Sequence, residues 1–277
     1  MNFSLKRFYY QSCCEELRVL KPGNHSLQSK ILGMDHKKFE LGAKISSEIL
    51  SDNNLKLGEA IYLAATKCFK ELRSNYNLGI ILLCAPIFKI PKNKYFNLRI
   101  ELIKIINEIP ETQGKLILNA IREVGPAGIK KYSGEGNIYS KSYLKFNEIM
   151  KIGANWDRIS RSYTNNYKEI FSDGLPYFTL SLKRFNYNRA ITSLFLNFLS
   201  LDYDSHILRK YGIEKAAKVQ RKAALLKNIK SRKKLSLSLQ KFDKYLKFLN
   251  LNPGTCADLT VTTLLISKIR DIFKFQI

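Results

Sequence analysis

The sequence predicts an all-α protein, a single compact multi-helix bundle spanning residues 1–277. Apolar residues recur at helical spacing along nearly the whole chain, and period-two runs bounded by hairpin turns are scarce. The breaks between periodic segments are short clusters of Pro, Gly, Asn and Asp, as helix connections require. A chain of 277 residues with 45% hydrophobic content can bury a substantial core, so one folded domain is the simplest organisation.

In chain order, Phe8, Cys14, Leu17 and Leu20 suit one face of a first helix that the Lys21-Pro22-Gly23-Asn24 turn stops. A second helix is expected over His36–Leu50. A third, over Leu57–Leu72, presents Ile61, Ala64, Ala65, Cys68 and Leu72 on one face. The segment from Asn77 to Lys89 is apolar almost all round, the pattern of a central bundle helix. Tyr95–Ile109 and Glu111–Val124 follow, divided by Pro110. The pattern then fails over GPAGIKKYSGEGNIYS, residues 125–140, the longest loop-like stretch. Helices are expected again over Tyr143–Phe171, Leu180–Leu201, Ile213–Ser231, Leu235–Leu249 and Ala257–Phe275.

Composition narrows the function classes. No run approaches the roughly 20 apolar residues of a membrane span, and Leu78–Ile90 contains Pro86. The N-terminus lacks an apolar core with a small-residue cleavage site, so cytoplasm is the expected location. The 5 cysteines show no metal-ligand spacing and are expected to be reduced packing residues, and 3 histidines leave few places for imidazole chemistry. The formal charge of +24 makes contact with polyanions conceivable, with the densest run between Lys227 and Lys247, but lysine is abundant everywhere in the chain. Self-association into a homo-oligomer is left open.

Four polar motifs interrupt or begin helices: KPGNHS (21–26), SNYNLG (74–79), DSHILRK (204–210) and NPGTCAD (252–258). In the last, Pro253 and Gly254 turn the chain, Thr255 can cap, and an apolar helix begins with Asp258 one turn inside. Free N–H groups at such a start favour an anion, while the acid could satisfy the helix dipole or hold a cation that itself holds phosphate. Neither a GxxxxGK[ST] loop nor a strand-linked GxGxxG is present, so a nucleotide would bind in another way. Each motif also has an ordinary structural role: Lys21-Pro22-Gly23 can end a helix, Asn75 and Asn77 can cap the next, and Asp204 can cap its own.

In order, KPGN, ELRSNYNLGIILLCAPI, GPAGI, WDRISRSYTNNYKEIFSDGLP, DSHILRKYG and NPGTCADLTVTTLL resemble the triphosphoribosyl-dephospho-CoA synthase family over nearly the whole chain. The likeness is strongest to a branch with an NTNLG motif and an apolar LLLAPL run, associated with methylotrophs and pterin-dependent one-carbon metabolism. The resemblance implies an all-helical transferase that joins the ribosyl triphosphate of ATP to the 2′-hydroxyl of 3′-dephospho-CoA and releases adenine. It implies Lys21, Arg209 and Lys210 as phosphate ligands, with Gly23, Asn24, Asn252, Gly254, Thr255 and His206 around the nucleotide. Asn75 and Asn77 would orient ribose or phosphate, and Gly79 would let ligand approach the helix start. Asp258 and Asp204 would ligate Mg²⁺ or act as acid and base, since an oxocarbenium-like ribose needs a carboxylate nearby. Glu16 matches an acid of the first motif. Asp157, Arg161 and Tyr163 match a further segment but could equally form a polar network between helices.

Two departures stand out. Tyr76 replaces the threonine between the two asparagines, and His25-Ser26 follows KPGN where the branch has Val-His. An acceptor from a pterin pathway, with ATP still the donor, is one alternative. A noncatalytic RNA-binding protein centred on Lys227–Lys247 is another.

Overall fold

The computed structural model describes residues 4–140 and 143–274, and among them regular structure is entirely helical. The elements are α1 (Leu5–Arg18), α2 (His36–Leu50), α3 (Leu57–Leu72), α4 (Leu78–Phe88), α5 (Leu98–Asn107), α6 (Glu111–Val124), α7 (Phe146–Gly153), α8 (Arg158–Thr164), α9 (Leu175–Arg184), α10 (Tyr187–Leu201), α11 (Ser205–Tyr211), α12 (Ile213–Lys227), α13 (Arg232–Phe248) and α14 (Gly254–Phe273). The all-α expectation holds. No described helix is long and apolar enough to cross a membrane.

Two helices make the centre. α4 buries nearly every residue, as its unbroken apolar sequence requires, and packs on α3, α5, α8 and α14. α14 runs 20 residues and touches α1, α4, α9, α10 and α11. Pro86 inside α4 has no N–H to give the Leu82 carbonyl. The Tyr163 hydroxyl donates to that oxygen at 2.6 Å, and Tyr167 donates to Leu83 O at 3.0 Å. α8 is thereby tied to the central helix at the point where its own ladder is interrupted.

The helices expected over His36–Leu50, Leu57–Leu72 and Glu111–Val124 have those boundaries. The single helix expected over Tyr143–Phe171 is broken, because the Asp157 side chain accepts the Ser160 N–H at 2.9 Å and starts α8 afresh. Asn166 and Tyr167 then adopt positive φ of 60° and 54°, and a π-type turn over Glu169–Gly174 leads into α9. The helix expected over Leu180–Leu201 begins earlier, at Leu175, and divides where Asn186 caps α10 through the Arg189 N–H at 3.0 Å. The first three residues of Tyr95–Ile109 belong to a 3₁₀ turn over Lys92–Asn97 and α5 begins at Leu98, while the short α11 follows the Asp204 cap, for which no helix range was expected. The expected end of the last helix at Phe275 lies outside the described residues.

Tyr163→Phe is expected to leave the Leu82 carbonyl buried without a donor and to lower stability by about 1–3 kcal/mol. Urea denaturation checks this, and an unchanged midpoint would show that the bond contributes nothing.

Candidate active site

The start of α14 has no side-chain cap of its own: its cap residue is Pro253, and the expected Thr255 cap does not form. The donor need of this first turn is met from elsewhere. Asp204 Oδ2 accepts the Cys256 N–H at 2.8 Å, while Oδ1 accepts His206 N–H at 3.0 Å and Ile207 N–H at 3.2 Å. One buried carboxylate therefore caps α11 and α14 together. Arg158, also buried, donates to Cys256 Sγ at 3.3 Å and Phe198 O at 3.0 Å and pairs with Glu169 at 2.7 Å, fixing the same turn from behind.

All four motifs meet here. Asn24 Nδ2 donates to Asn252 Oδ1 at 2.8 Å, joining KPGN to NPGT. Gly23, at φ 81°, donates to Asp243 Oδ1 at 2.8 Å, and a Cβ there would lie 2.6 Å from Leu251 O. His206 lies against Gly254, where a Cβ would come within 3.0 Å of its Nδ1. Gly79, at the start of α4, faces Asp258: a Cβ would stand 2.6 Å from Asp258 Cγ. Asn75 accepts the Leu78 N–H at 3.2 Å and caps α4, while Asn77 reaches Ser46 Oγ at 3.4 Å.

These contacts frame a cleft of about 950 Å³. Its lining includes Glu16, Asn24, Asn75, Asn77, Gly79, His206, Arg209, Lys210, Asn252, Gly254, Thr255 and Asp258. Lys21, Gly23 and Asp204 stand behind the wall. Lys21 is fully buried, 2.7 Å from Glu16 Oε1, and donates to His25 O at 2.8 Å, so its ammonium is committed within the chain. Arg209 pairs with Asp157 and donates to Ala127 O at 3.4 Å. Lys210 is exposed, over the Tyr211 ring.

Asp258 is the electrostatic exception. It is partly open to the cleft and, among the described residues, its carboxylate has neither an ion pair nor a hydrogen-bond donor. Burial pushes its pKa well above the ordinary aspartate value, the charges of Asp204, Glu16 and Asp157 push the same way, and Arg209 opposes them. Burial likewise raises Glu16 and lowers Lys21, each against the attraction of the other. An acid held in this way takes up a proton readily and favours the arrival of positive charge beside it.

The model of the ATP:dephospho-CoA triphosphoribosyl transferase family matches residues 2–276 of the chain. The chain belongs to that family. No curated protein matches it. Among solved structures, a chain described as a triphosphoribosyl-dephospho-CoA synthase of Archaeoglobus fulgidus superposes with a TM-score of 0.64 at 19% identity. The match covers 82% of this chain and 97% of that one, and it shows a shared fold. The chain is accordingly a transferase of the ATP:dephospho-CoA triphosphoribosyl type.

In this transferase the family motifs account for one wall of the cleft. The lining also includes Phe39, Lys130, Lys131 and Tyr132, which motif matching did not single out, and Tyr76 and Trp156, which lie inside the SNYNLG and WDRIS stretches but were given no part in binding. The signal for several of them was available, since a solitary tryptophan and a Lys-Lys-Tyr run inside a glycine-rich loop are unusual in a helical bundle. His25 is buried behind Phe39, ring centroids 5.0 Å apart, its Nδ1 accepting the Ile31 N–H at 3.1 Å. Burial and the nearby Lys21 and Lys247 charges hold its pKa down to about 4, so the imidazole is neutral at physiological pH.

Gly79→Ala forces the Asp258 carboxylate to a new rotamer and is expected to lower kcat about 100-fold, with the helical circular dichroism retained. Ionising Asp258 above the unfolded value of about 3.9 costs the folded state, because its folded pKa is higher. The penalty is absent below that value and grows as pH rises toward the folded pKa. Asp258→Asn should therefore raise Tm at pH 8 and leave it nearly unchanged at pH 4, as read by thermal scans.

Proposed function

We propose that the transferase attacks C1′ of ATP with the 2′-hydroxyl of 3′-dephospho-CoA, or of a closely similar acceptor, and releases adenine. The N9–C1′ bond breaks and an O–C1′ bond forms. Adenine leaves with the bonding pair, and the hydroxyl proton passes to Asp258 and on to the leaving base. The observation that carries this reading is the convergence of four sequence-distant motifs on one unpaired carboxylate, Asp258, whose raised pKa suits a general base. Glu16, lining the same cleft, adds negative potential beside a ribose that develops positive charge.

A magnesium ion fits this arrangement as a companion of the triphosphate. The described residues contain no cluster of three or more His, Cys, Asp or Glu side chains able to hold a metal unaided. One or two carboxylates suffice when phosphates supply the other ligands, and Asp258 is the acid available. Asp204, the other acid expected at the metal, spends both oxygens on backbone N–H groups. The ion would neutralise phosphate charge and orient the triphosphate.

The Lys227–Lys247 run supports no competing site in this cleft: none of its residues line it. Purified protein incubated with ATP, Mg²⁺ and 3′-dephospho-CoA should release adenine only when the acceptor is present. Adenine released with a pterin-pathway acceptor instead would move the substrate assignment, and salt-sensitive RNA binding without turnover would replace the reading. Asp258→Asn should lower the rate by about 10²–10⁴, and the wild-type acid limb of kcat/KM against pH should sit above the ordinary aspartate range. Full activity in the variant would remove Asp258 from the mechanism.

A further inference from the structure

A further part of the cleft lining comes from the loop after α6 and the segment that leads into α8, and its chemistry differs from that around Asp258. Trp156 and Tyr132 both line the cleft, with ring centroids 4.7 Å apart and planes tilted by 37°. Tyr132 is fixed from its far end, its hydroxyl donating to Glu135 O at 2.8 Å. Trp156 sits one residue before Asp157, the side chain that both caps α8 and pairs with Arg209. The loop itself is seated on α11: at Gly128, φ 84°, a Cβ would lie 2.6 Å from Arg209 O. The indole is thus half-buried on a rigid support, and its Nε1–H has no partner among the described residues.

Beside these rings stand two exposed lysines. The Lys131 ammonium makes no ion pair or hydrogen bond among the described residues, and Lys130 lies 5.9 Å above the Tyr139 ring. They are cleft cations without a carboxylate partner, whereas Arg209 and Lys21 are engaged. A supported aromatic face next to unpaired ammonium groups is the arrangement that binds a base by stacking and its phosphates by charge. The cleft volume of about 950 Å³ also lies at the upper end of the range for a single small-molecule site, about 300–1,000 Å³.

We propose that Trp156, backed by Tyr132 and flanked by Lys130 and Lys131, is a subsite for an adenine nucleotide, stacking its base and pairing its phosphates. This rests on the reading that the cleft takes ATP and a nucleotide-like acceptor. Both carry adenine and phosphates, and either can be the occupant.

The chain has 1 tryptophan and 15 tyrosines, so emission excited at the red edge, where tyrosine does not absorb, reports on Trp156. The full-length protein would be titrated separately with ATP and Mg²⁺, with 3′-dephospho-CoA, and with pantetheine, which lacks base and phosphate. Saturable quenching by at least one of the two nucleotides and none by pantetheine is the expected result, and the nucleotide that quenches identifies the occupant. Lys130→Ala combined with Lys131→Ala should weaken that titration about tenfold and flatten its salt dependence. Trp156→Ala should raise the KM of the same nucleotide about tenfold, as loss of one stacked base implies, with Trp156→Phe recovering part of the loss. Absence of quenching by both nucleotides, while adenine is still released at the wild-type rate, would overturn the subsite. Quenching by pantetheine as strong as by the nucleotides would also overturn it. Saturable nucleotide quenching without adenine release would support the subsite and count against the proposed reaction instead.

Discussion

Asp204 accepts backbone N–H groups from the first turns of two helices that are separated by some fifty residues of chain, and the geometry of the cleft depends on that arrangement. A helix start leaves donors without partners, and α14 begins with Pro253 and Gly254, neither of which offers a capping side chain. Hydrogen bonds to an ionised acceptor contribute about 1.5–3 kcal/mol each. The carboxylate thus locks α11 to α14, and with α14 come Asn252 against Asn24, Gly254 against His206 and Asp258 against Gly79. The cost falls on Asp258, whose ionised form must tolerate the charge of Asp204 close by. A buried cap and a reactive acid are two consequences of one placement.

The fold was legible where periodicity is uninterrupted, as over Leu57–Leu72, and where Pro110 or Gly125 divides helices. It was illegible at Asp157 and Asn186, because apolar residues keep helical phase across those breaks and only the cap side chains mark them. Motif order pointed to the family, but order along a chain does not give proximity, and the meeting of four loops at one helix start became visible only in three dimensions. Residue type was also a poor guide to exposure. Lys21 and Asp204 have the chemistry of ligands, yet each spends its charge inside the wall, whereas Lys131 in the glycine-rich loop remains unpaired at the cleft.

The positive charge of the chain acts at a different range from the site residues. A net +24 sets up a field that draws polyphosphates toward the surface from beyond contact distance. Around Asp258 the local field opposes that of the chain, with burial and the charges of Asp204, Glu16 and Asp157 raising its proton affinity against Arg209. Attraction at long range and a carboxylate at the reacting carbon suit a substrate that is anionic at one end and becomes cationic in the middle.

Two residues at which this chain differs from the NTNLG-type motif pattern, His25 and Tyr76, meet on a single ring. His25 stacks on Phe39 at 5.0 Å, and Tyr76 meets the same ring edge-on at 4.7 Å. The changes are therefore not independent: restoring a small threonine at 76 would strip one side of Phe39 while the imidazole still pressed on the other. Residues sharing a contact in this way couple energetically. The three rings pack as one unit, so a change on either side of Phe39 is felt on the other.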